Sequence, residues 1–468
     1  MSFELTTLGE YISIQGGYAY KSQQFIENST YPVLKIKNIR TGYVDINDCA
    51  YIDKNSADET ERYIVSEGDV LISLTGSGPN APQSLVGRVA RFWDKGKRAW
   101  INQRVGRVVL KKDKTVHKDF IFYFLGTKES QNYLVANSSG SANQANINGA
   151  IIEALSFPRI DYSTSKKISK VLRTLDEKIN LNNQINKTLE SIAQAIFKSW
   201  FIDFEPVRAK IAAKQEGKDP ERAAMCAISG KSKTELEQMA ADDFAELQAT
   251  AALFPDELVE SELGTVPKGW SVQKIKDFGR VICGKTPSKS IAEYYGNDIP
   301  FIKIPDMHHD VFVLDSFEKL SEKGSNSQAN KILPRGSICV SCIATVGKVI
   351  ITHQPSQTNQ QINSIVPDLP IYTYFLYFLM GEKERLFHDL ASGGSATLNM
   401  NTSTFSNVDI LMPNSKIIEA YDGVVSRIFD EILHNLKLSF LLSDMRDTLL
   451  PKLLSGEMDV SDLQSEGD

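Results

Sequence analysis

The chain states one theme twice, and this constrains its fold more than any other feature. Tyr31-Pro32-Val33-Leu34-Lys35-Ile36 returns as Ile299-Pro300-Phe301-Ile302-Lys303-Ile304. The glycine turn at Gly68 before Val70-Leu71-Ile72-Ser73 returns at Gly336 before Ile338-Cys339-Val340-Ser341. Val86-Gly87-Arg88-Val89 returns as Val346-Gly347-Lys348-Val349, Asn102-Gln103 as Asn359-Gln360, and Gly140-Ser141-Ala142 as Gly394-Ser395-Ala396. The copies lie roughly 253 to 268 residues apart, far beyond a solenoid period of about 20–50. This is a duplicated domain. It carries its own control, because a motif present in only one copy is a weak candidate for shared chemistry.

Each copy has a strand-rich part and a helical part. Short apolar runs such as Val70-Leu71-Ile72 and Ile338-Cys339-Val340, bounded by Gly, Pro or Asn, predict strands. Helical stretches around Phe120 to Tyr133 and Ile371 to Leu390 make the class mixed α/β (α+β). After it, Leu172, Leu175, Ile179, Asn182, Leu189, Ile192, Ile196 and Trp200 form one apolar stripe. Val425, Ile428, Ile432, Asn435, Leu442, Met445, Leu449 and Leu453 form its twin. Stripes of this length predict a coiled-coil seam. The alternative is two helices, each packed only on its own domain. An antiparallel, pseudo-twofold pair would bring Asn182 and Asn435 together at the crossing, where a polar residue fixes register.

The expected division is residues 1–158 and 263–413 as the duplicated domains. Residues 159–205 and 414–456 are the long helices, 206–262 a helical connector, and 457–468 a loose acidic tail. The five scattered cysteines suit a reducing, cytoplasmic setting. No long uncharged apolar run predicts a membrane span, and MSFELTTLGEY does not read as a signal peptide. A net charge of -6 argues against coating nucleic acid through bulk charge, but leaves room for a local basic face.

Three motifs suggest chemistry and fail on context. Gly279 to Thr286 matches the phosphate-loop pattern GxxxxGK[ST]. That mechanism needs a buried strand before the loop and a helix at the Lys, whereas Lys274 to Phe278 is not a buried strand and Pro287 follows at once. A glycine turn between a helix and a loop is the expected structure. Cys339-Val340-Ser341-Cys342 has no second pair, and Leu71 and Leu74 replace its cysteines in the twin, so small core residues are expected. His308-His309 lacks a third ligand. No methyltransferase NPPY or DPPY string occurs, Asp298-Ile299-Pro300-Phe301 being the nearest. No catalytic or metal-binding residue is assigned.

The positive signal is a basic stretch from Arg88 to Lys118, interleaved with Phe92, Trp93 and Trp100. It suits either a nucleic-acid face or a solvated strand surface. The matching region of the second copy is rich in amides: Gln354, Gln357, Asn359, Gln360, Gln361 and Asn363. Amides can pair with adenine edges, whereas Arg and Lys suit guanine. Glycine- and serine-rich turns at Thr75 to Gly78, Ser138 to Ser141 and Ala391 to Ser395 can hold phosphate oxygens. The DNA-contact candidates in the first copy are Lys35, Lys37, Asn38, Arg40, Thr75, Ser77, Arg88, Arg91, Lys97, Arg98, Gln103, Arg104 and Ser139. In the second they are Lys303, Asp306, Thr345, Lys348, Gln360, Gln361, Ser392 and Gly393.

Several strings together resemble the specificity (S) subunit of Type I restriction-modification enzymes. They are Ile196-Phe197-Lys198-Ser199-Trp200-Phe201-Ile202-Asp203-Phe204-Glu205-Pro206-Val207, Leu263 to Trp270, and Leu449-Leu450-Pro451-Lys452-Leu453-Leu454-Ser455-Gly456-Glu457. Asn359-Gln360-Gln361 and the SGGSATLNM stretch from Ser392 fit too. The resemblance implies two target-recognition domains on antiparallel helices, each reading half of a split double-stranded DNA target. The helices would set the spacing and dock two modification (M) subunits, through which motor-nuclease (R) subunits join. S-adenosylmethionine, ATP and magnesium would sit on those partners and no cofactor on this chain. The competing readings are a P-loop enzyme using Gly284, Lys285 and Thr286, and a protein-only scaffold.

Overall fold

The computed structural model describes residues 3–78, 85–112, 115–141, 144–308, 310–392 and 398–460. His309, Gly393, Lys114, Ala142, the Gly394-Ser395-Ala396 repeat and the tail from residue 461 lie outside them. The chain forms two compact units, residues 1–180 with 439–468, and residues 181–438. These cut across the linear division expected from sequence, because each unit combines one globular half with an end of each long helix.

In the first unit, β1 (Ile12–Gly16), β2 (Val70–Ser73), β3 (Val89–Arg91) and β4 (Val105–Leu110) form an antiparallel sheet in the order β1-β4-β2-β3. Gly42–Tyr43 adds a short parallel edge to β3. In the second unit, β5 (Gly279–Cys283), β6 (Ile338–Ser341), β7 (Val349–Ile351) and β8 (Ile362–Pro367) repeat that order as β5-β8-β6-β7. β2 and β6 are buried at every position, as continuous apolar runs in central strands should be. Gly87 (φ 80°) and Gly347 (φ 91°) turn the chain into β3 and β7, in a backbone region that favours glycine.

The core of the first unit joins Phe120, Phe157 and Ile12 to Leu172, Leu453 and Leu454 of the long helices. That of the second is aromatic. Phe197, Trp200 and Phe201 pack among Phe375, Phe378 and Tyr421, with ring centroids 5.0 to 5.9 Å apart for the pairs Phe201–Phe375 and Trp200–Tyr421. Fully burying one such side chain stabilises a fold by about 1.5–3 kcal/mol. Phe204, held at φ 54° where the helix breaks, is buried edge-on against Trp270 at 5.4 Å, so packing offsets its backbone strain. The stretch after it forms helices Glu205–Gln215, Pro220–Ser229, Lys233–Glu237 and Ala241–Ala252 around Met225, Leu236 and Ala251.

The long helices are α1 (Tyr162–Phe201) and α2 (Ser415–Ser455). Matched residues start them: Asp161 accepts the Thr164 N–H at 3.0 Å, and Asn414 accepts the Lys416 N–H at 3.0 Å. Within the second unit they run antiparallel. Asn182 Nδ2 donates to the Asn435 carbonyl at 3.5 Å, Asn435 Nδ2 to Asn186 Oδ1 at 3.1 Å, and Asn186 Nδ2 to the Ile432 carbonyl at 3.3 Å. The expected pair therefore meets, with Asn186 as an unforeseen third amide. In the first unit, Arg446 of α2 pairs with Asp176 of α1 at 2.8 Å. Ile432 is buried, while Leu175, Ile179, Leu189 and Leu442 are half-buried, as in a seam only two helices wide. Two stripe members depart from expectation. Ile192 is 46% and Met445 44% exposed, because each lies on the rim of its helix pair.

Candidate nucleic-acid interface

In each unit two parallel strands end side by side. Val33 and Leu34 pair with Trp100 and Ile101 in the first. Phe301 and Ile302 pair with Gln357 and Thr358 in the second. The chain leaving these ends carries Lys35 and Gln103 in one unit, and Lys303 and Gln360 in the other. The Asn102 N–H donates to the Leu34 carbonyl at 3.0 Å, and the Asn359 N–H to that of Ile302 at 3.3 Å. The lysine turn and the amide pair therefore share one edge.

A glycine closes that edge in both units. A Cβ on Gly17 would lie 2.3 Å from the Asn102 carbonyl oxygen, and one on Gly284 2.2 Å from that of Asn359. This explains the phosphate-loop pattern: Gly284 is a close-approach glycine. Gly279 to Cys283 is itself strand β5, which corrects the expected helix-to-loop turn, and no helix begins at Lys285. The Lys285 N–H is bonded to the Thr358 carbonyl at 2.9 Å, and Thr286 donates to Gln360 Oε1 at 2.7 Å.

The lysine turns are built alike. Asn38 Oδ1 accepts the Lys35 N–H at 2.9 Å, and Asp306 Oδ2 accepts the Lys303 N–H at 2.8 Å. Two readings need correction here. Asn38 is buried, and its amide is spent on the carbonyls of Asp45 and Asp48, both at 2.9 Å. Asp306 Oδ1 holds the Phe317 N–H at 3.1 Å. Both side chains are engaged in shaping their loops, Asn38 from a buried position and Asp306 from a half-buried one. Lys35 lies 3.9 Å over the Phe25 ring, Lys37 pairs with Asp48 at 2.6 Å, and Lys303 pairs with Glu318.

The basic stretch also divides. Arg88 is buried and donates to the Ile36 carbonyl at 3.0 Å; burial first, then the Arg40 charge, lowers its pKa from the usual guanidinium value. Arg91 is buried against Asp119 at 2.7 Å. Both expectations of a phosphate contact are corrected, because these cations brace the fold from inside. Phe92 and Trp100 are core residues, Trp100 donating to the Ala57 carbonyl at 3.1 Å. Arg40, Lys97, Arg98, Gln103 and Arg104 remain exposed, with Lys97 beside Asp94 at 3.2 Å.

Arg104 reaches Thr75 Oγ1 at 3.0 Å and Asn146 Oδ1 at 2.9 Å, and Thr75, buried, donates to the same Oδ1 at 2.8 Å. Sequence reading missed Asn146. Its signal was available, since Asn146-x-Asn148 returns as Asn399-x-Asn401, and both Asn148 and Asn401 cap short helices. Ser77 is half-buried, its carbonyl accepting the Val86 N–H at 3.1 Å, and Ser139 is exposed.

In the second unit most of the amide run is internal. Gln357 is buried against Gln328 and Ser325, and Asn363 is buried with Thr402 and Met400. Gln360 is exposed, and Gln361 is half-buried, its Oε1 accepting from Asn359 at 3.0 Å. Thr345 is half-buried, Lys348 pairs with Glu384 at 3.6 Å, and exposed Ser392 donates to the Asp389 carbonyl at 2.8 Å. Cys339 and Cys342 are buried, and burial pushes their thiols up to about 12 and about 11. His308 is exposed. Among the described residues, no cluster of three or more His, Cys, Asp or Glu side chains is grouped to hold a metal ion. No helix among them is long and apolar enough to cross a membrane.

Comparison with known proteins gives consistent results. The family model described as Type I restriction modification DNA specificity domain matches residues 2–191 and again residues 267–438. The chain is 48% identical over 356 residues to the Type I restriction enzyme HindI specificity subunit of Haemophilus influenzae, covering 73% of this chain and 77% of that one. It is 34% identical over 185 residues to the MjaIX specificity subunit of Methanocaldococcus jannaschii, covering 39% of this chain and 42% of the relative. The crystal structure of a Type I restriction-modification S subunit from M. genitalium shares the fold at 12% identity, with a TM-score of 0.50 over 98% of this chain and 97% of that one.

Proposed function

This chain belongs to the family of Type I restriction-modification DNA specificity subunits, and from that premise we propose how its residues divide the work. Each unit reads one half of a bipartite double-stranded DNA target from the edge where its parallel strands end. In the first unit Lys35, Lys37, Arg40, Lys97, Arg98, Gln103 and Arg104 face the duplex. In the second Lys303, Lys348, Gln360 and Gln361 do so, with Thr345, Ser392 and Gly393 as backbone contacts. The observation that carries this reading is the repeated edge: the same glycine, lysine turn and amide pair in both units, dressed with different exposed side chains. A shared scaffold with different surface chemistry suits two different half-sites.

The chain itself binds and does not catalyse. Two M subunits would supply S-adenosylmethionine and adenine methylation, and R subunits, joining through them, ATP- and magnesium-dependent cleavage, in the cytoplasm. Exposed apolar residues on the long helices support docking of M subunits there. They are Leu181, Ile185 and Ile192 on α1, and Phe440, Leu441 and Met445 on α2. A helix of 40 residues extends about 60 Å, the length of roughly 18 base pairs, which suits a ruler.

The test is DNA affinity of the complex with M subunits across a salt series. Phosphate contacts require affinity to fall linearly in a log–log plot, with the slope reduced by about one for each contacting cation removed. A flat response would favour a scaffold that touches only protein.

A further inference from the structure

Phe317 is 80% exposed, more than any other large apolar side chain among the described residues. A single exposed apolar residue is ordinary; what distinguishes this one is how firmly it is held out. Its N–H donates to Asp306 Oδ1 at 3.1 Å. The preceding Ser316 is buried, accepts the Phe301 N–H at 3.0 Å and donates to the Glu318 carbonyl at 2.6 Å. The following Glu318 is in register with Phe301, and its carboxylate takes the Lys303 ammonium. Both neighbours are thus locked. The fold does not demand an exposed side chain here, since at the matching place in the first unit Cys49 is tucked 3.6 Å from the Asn38 amide.

We propose that Phe317 is a specificity-determining residue of the second unit, its ring contacting the 5-methyl group of a thymine in the major groove of that half-site. Of the base edges there, only thymine presents an apolar group. The polar Lys303–Glu318 pair beside the ring suits the donors and acceptors of adjoining bases. Because the backbone is already fixed, little ordering entropy is lost on contact. This inference rests on the second unit being a DNA reader.

The experiment uses the full chain with its M subunit and S-adenosylmethionine, on duplexes carrying the methylated motif. Each thymine of the second half-site is replaced in turn by deoxyuridine, which removes only the methyl group. One replacement should slow methylation by wild-type complex roughly three- to tenfold. Phe317→Ala should show a similar loss on thymine DNA and no further loss on that uracil DNA, the coupling expected of a direct contact. Because the uracil comparison needs no variant, misfolding of Phe317→Ala does not obscure it, and Phe317→Leu should retain part of the effect. Indifference to uracil at every position, or additive losses, would overturn the proposal. So would a rise in 2-aminopurine fluorescence on binding that Phe317→Ala abolishes, which would mark the ring as a wedge between base steps. A second half-site without thymine overturns it and leaves the two-reader account standing. Absence of any bipartite motif tells against that account itself.

Discussion

Asn435 donates from Nδ2 to Oδ1 of Asn186 across 3.1 Å, with both side chains buried between the long helices. Asn182 extends the contact to the Asn435 carbonyl, so three amides occupy a seam that could have been apolar. Buried amides cost stability unless paired, and they specify register because any slip would leave them unpaired.

Single replacement Asn186→Leu should therefore destabilise the chain by about 1–3 kcal/mol, since it strands the Asn435 amide. Replacing Asn182, Asn186 and Asn435 together by Leu should recover most of that loss while loosening register. Chemical denaturation of the three forms checks the first point, and the spread of gap lengths in the methylated motif checks the second.

Asn38 and Asp306 cap matched turns with opposite hydrogen-bonding character. Asn38 turns donors toward two carbonyls, and Asp306 turns an acceptor toward the Phe317 N–H. Asn38→Asp should cost about 1–3 kcal/mol by setting a carboxylate against the Asp45 and Asp48 carbonyls. Its effect on recognition should fall on the first half-site alone. Asp306→Ala should blur only the second. Thermal unfolding and the methylated motif of each variant report the two effects separately.

The duplication made much of this fold legible. The strands around β2 and β6 follow from continuous apolar runs bounded by turn residues, and the helical stripes and the meeting of Asn182 with Asn435 from periodic apolar spacing and internal alignment. The site was less so. Arg88, Arg91, Asn38 and Gln357 look like surface chemistry in sequence, and each is buried with a specific partner. A side chain's letter does not say whether a distant carbonyl or carboxylate claims it. The Arg91–Asp119 pair joins β3 to a helix that the linear pattern does not place beside it.

Two tyrosines at matched positions, Tyr123 buried and Tyr377 half-buried, tie globular parts to α1. Tyr123 donates to Asp176 at 2.7 Å, which also takes Arg446, and Tyr377 donates to Glu190 at 2.6 Å. Burial, then the carboxylate's charge and hydrogen bond, holds each phenol well above its usual pKa. Tyr123→Phe should cost roughly 1–3 kcal/mol, as expected for a hydrogen bond to a charged group. It should also widen the range of gaps accepted between half-sites. A lowered unfolding midpoint with unchanged gap selectivity would limit the tyrosine to stability.

Asp422 on α2 has its pKa raised to about 6, by burial first and the Asp430 charge second. The folded state therefore binds this proton more tightly than the unfolded chain, so the group's contribution to stability declines as pH rises from about 4 through about 6. His353, whose pKa burial lowers, acts in the opposite sense at acid pH, so the comparison must be between forms. Asp422→Asn should be the more stable form above pH 6 and lose its advantage toward pH 4, as read from melting temperatures across that range.

Lys285 offers its backbone N–H to Thr358 and heads no helix. ATP or GTP at millimolar concentration should leave the melting temperature of the chain unchanged, and Lys285→Ala should not alter that result. A shift that grows with nucleotide concentration and disappears in the variant would revive the P-loop reading.

The most direct test of the two-reader account is methylome sequencing of a host carrying this chain with its cognate M subunit, before and after exchange of residues 1–158 for the corresponding domain of another family member. The account predicts an adenine-methylated motif of two short specific halves around a fixed gap, with only one half changed by the exchange. A single uninterrupted motif, or an exchange that alters both halves, would contradict it.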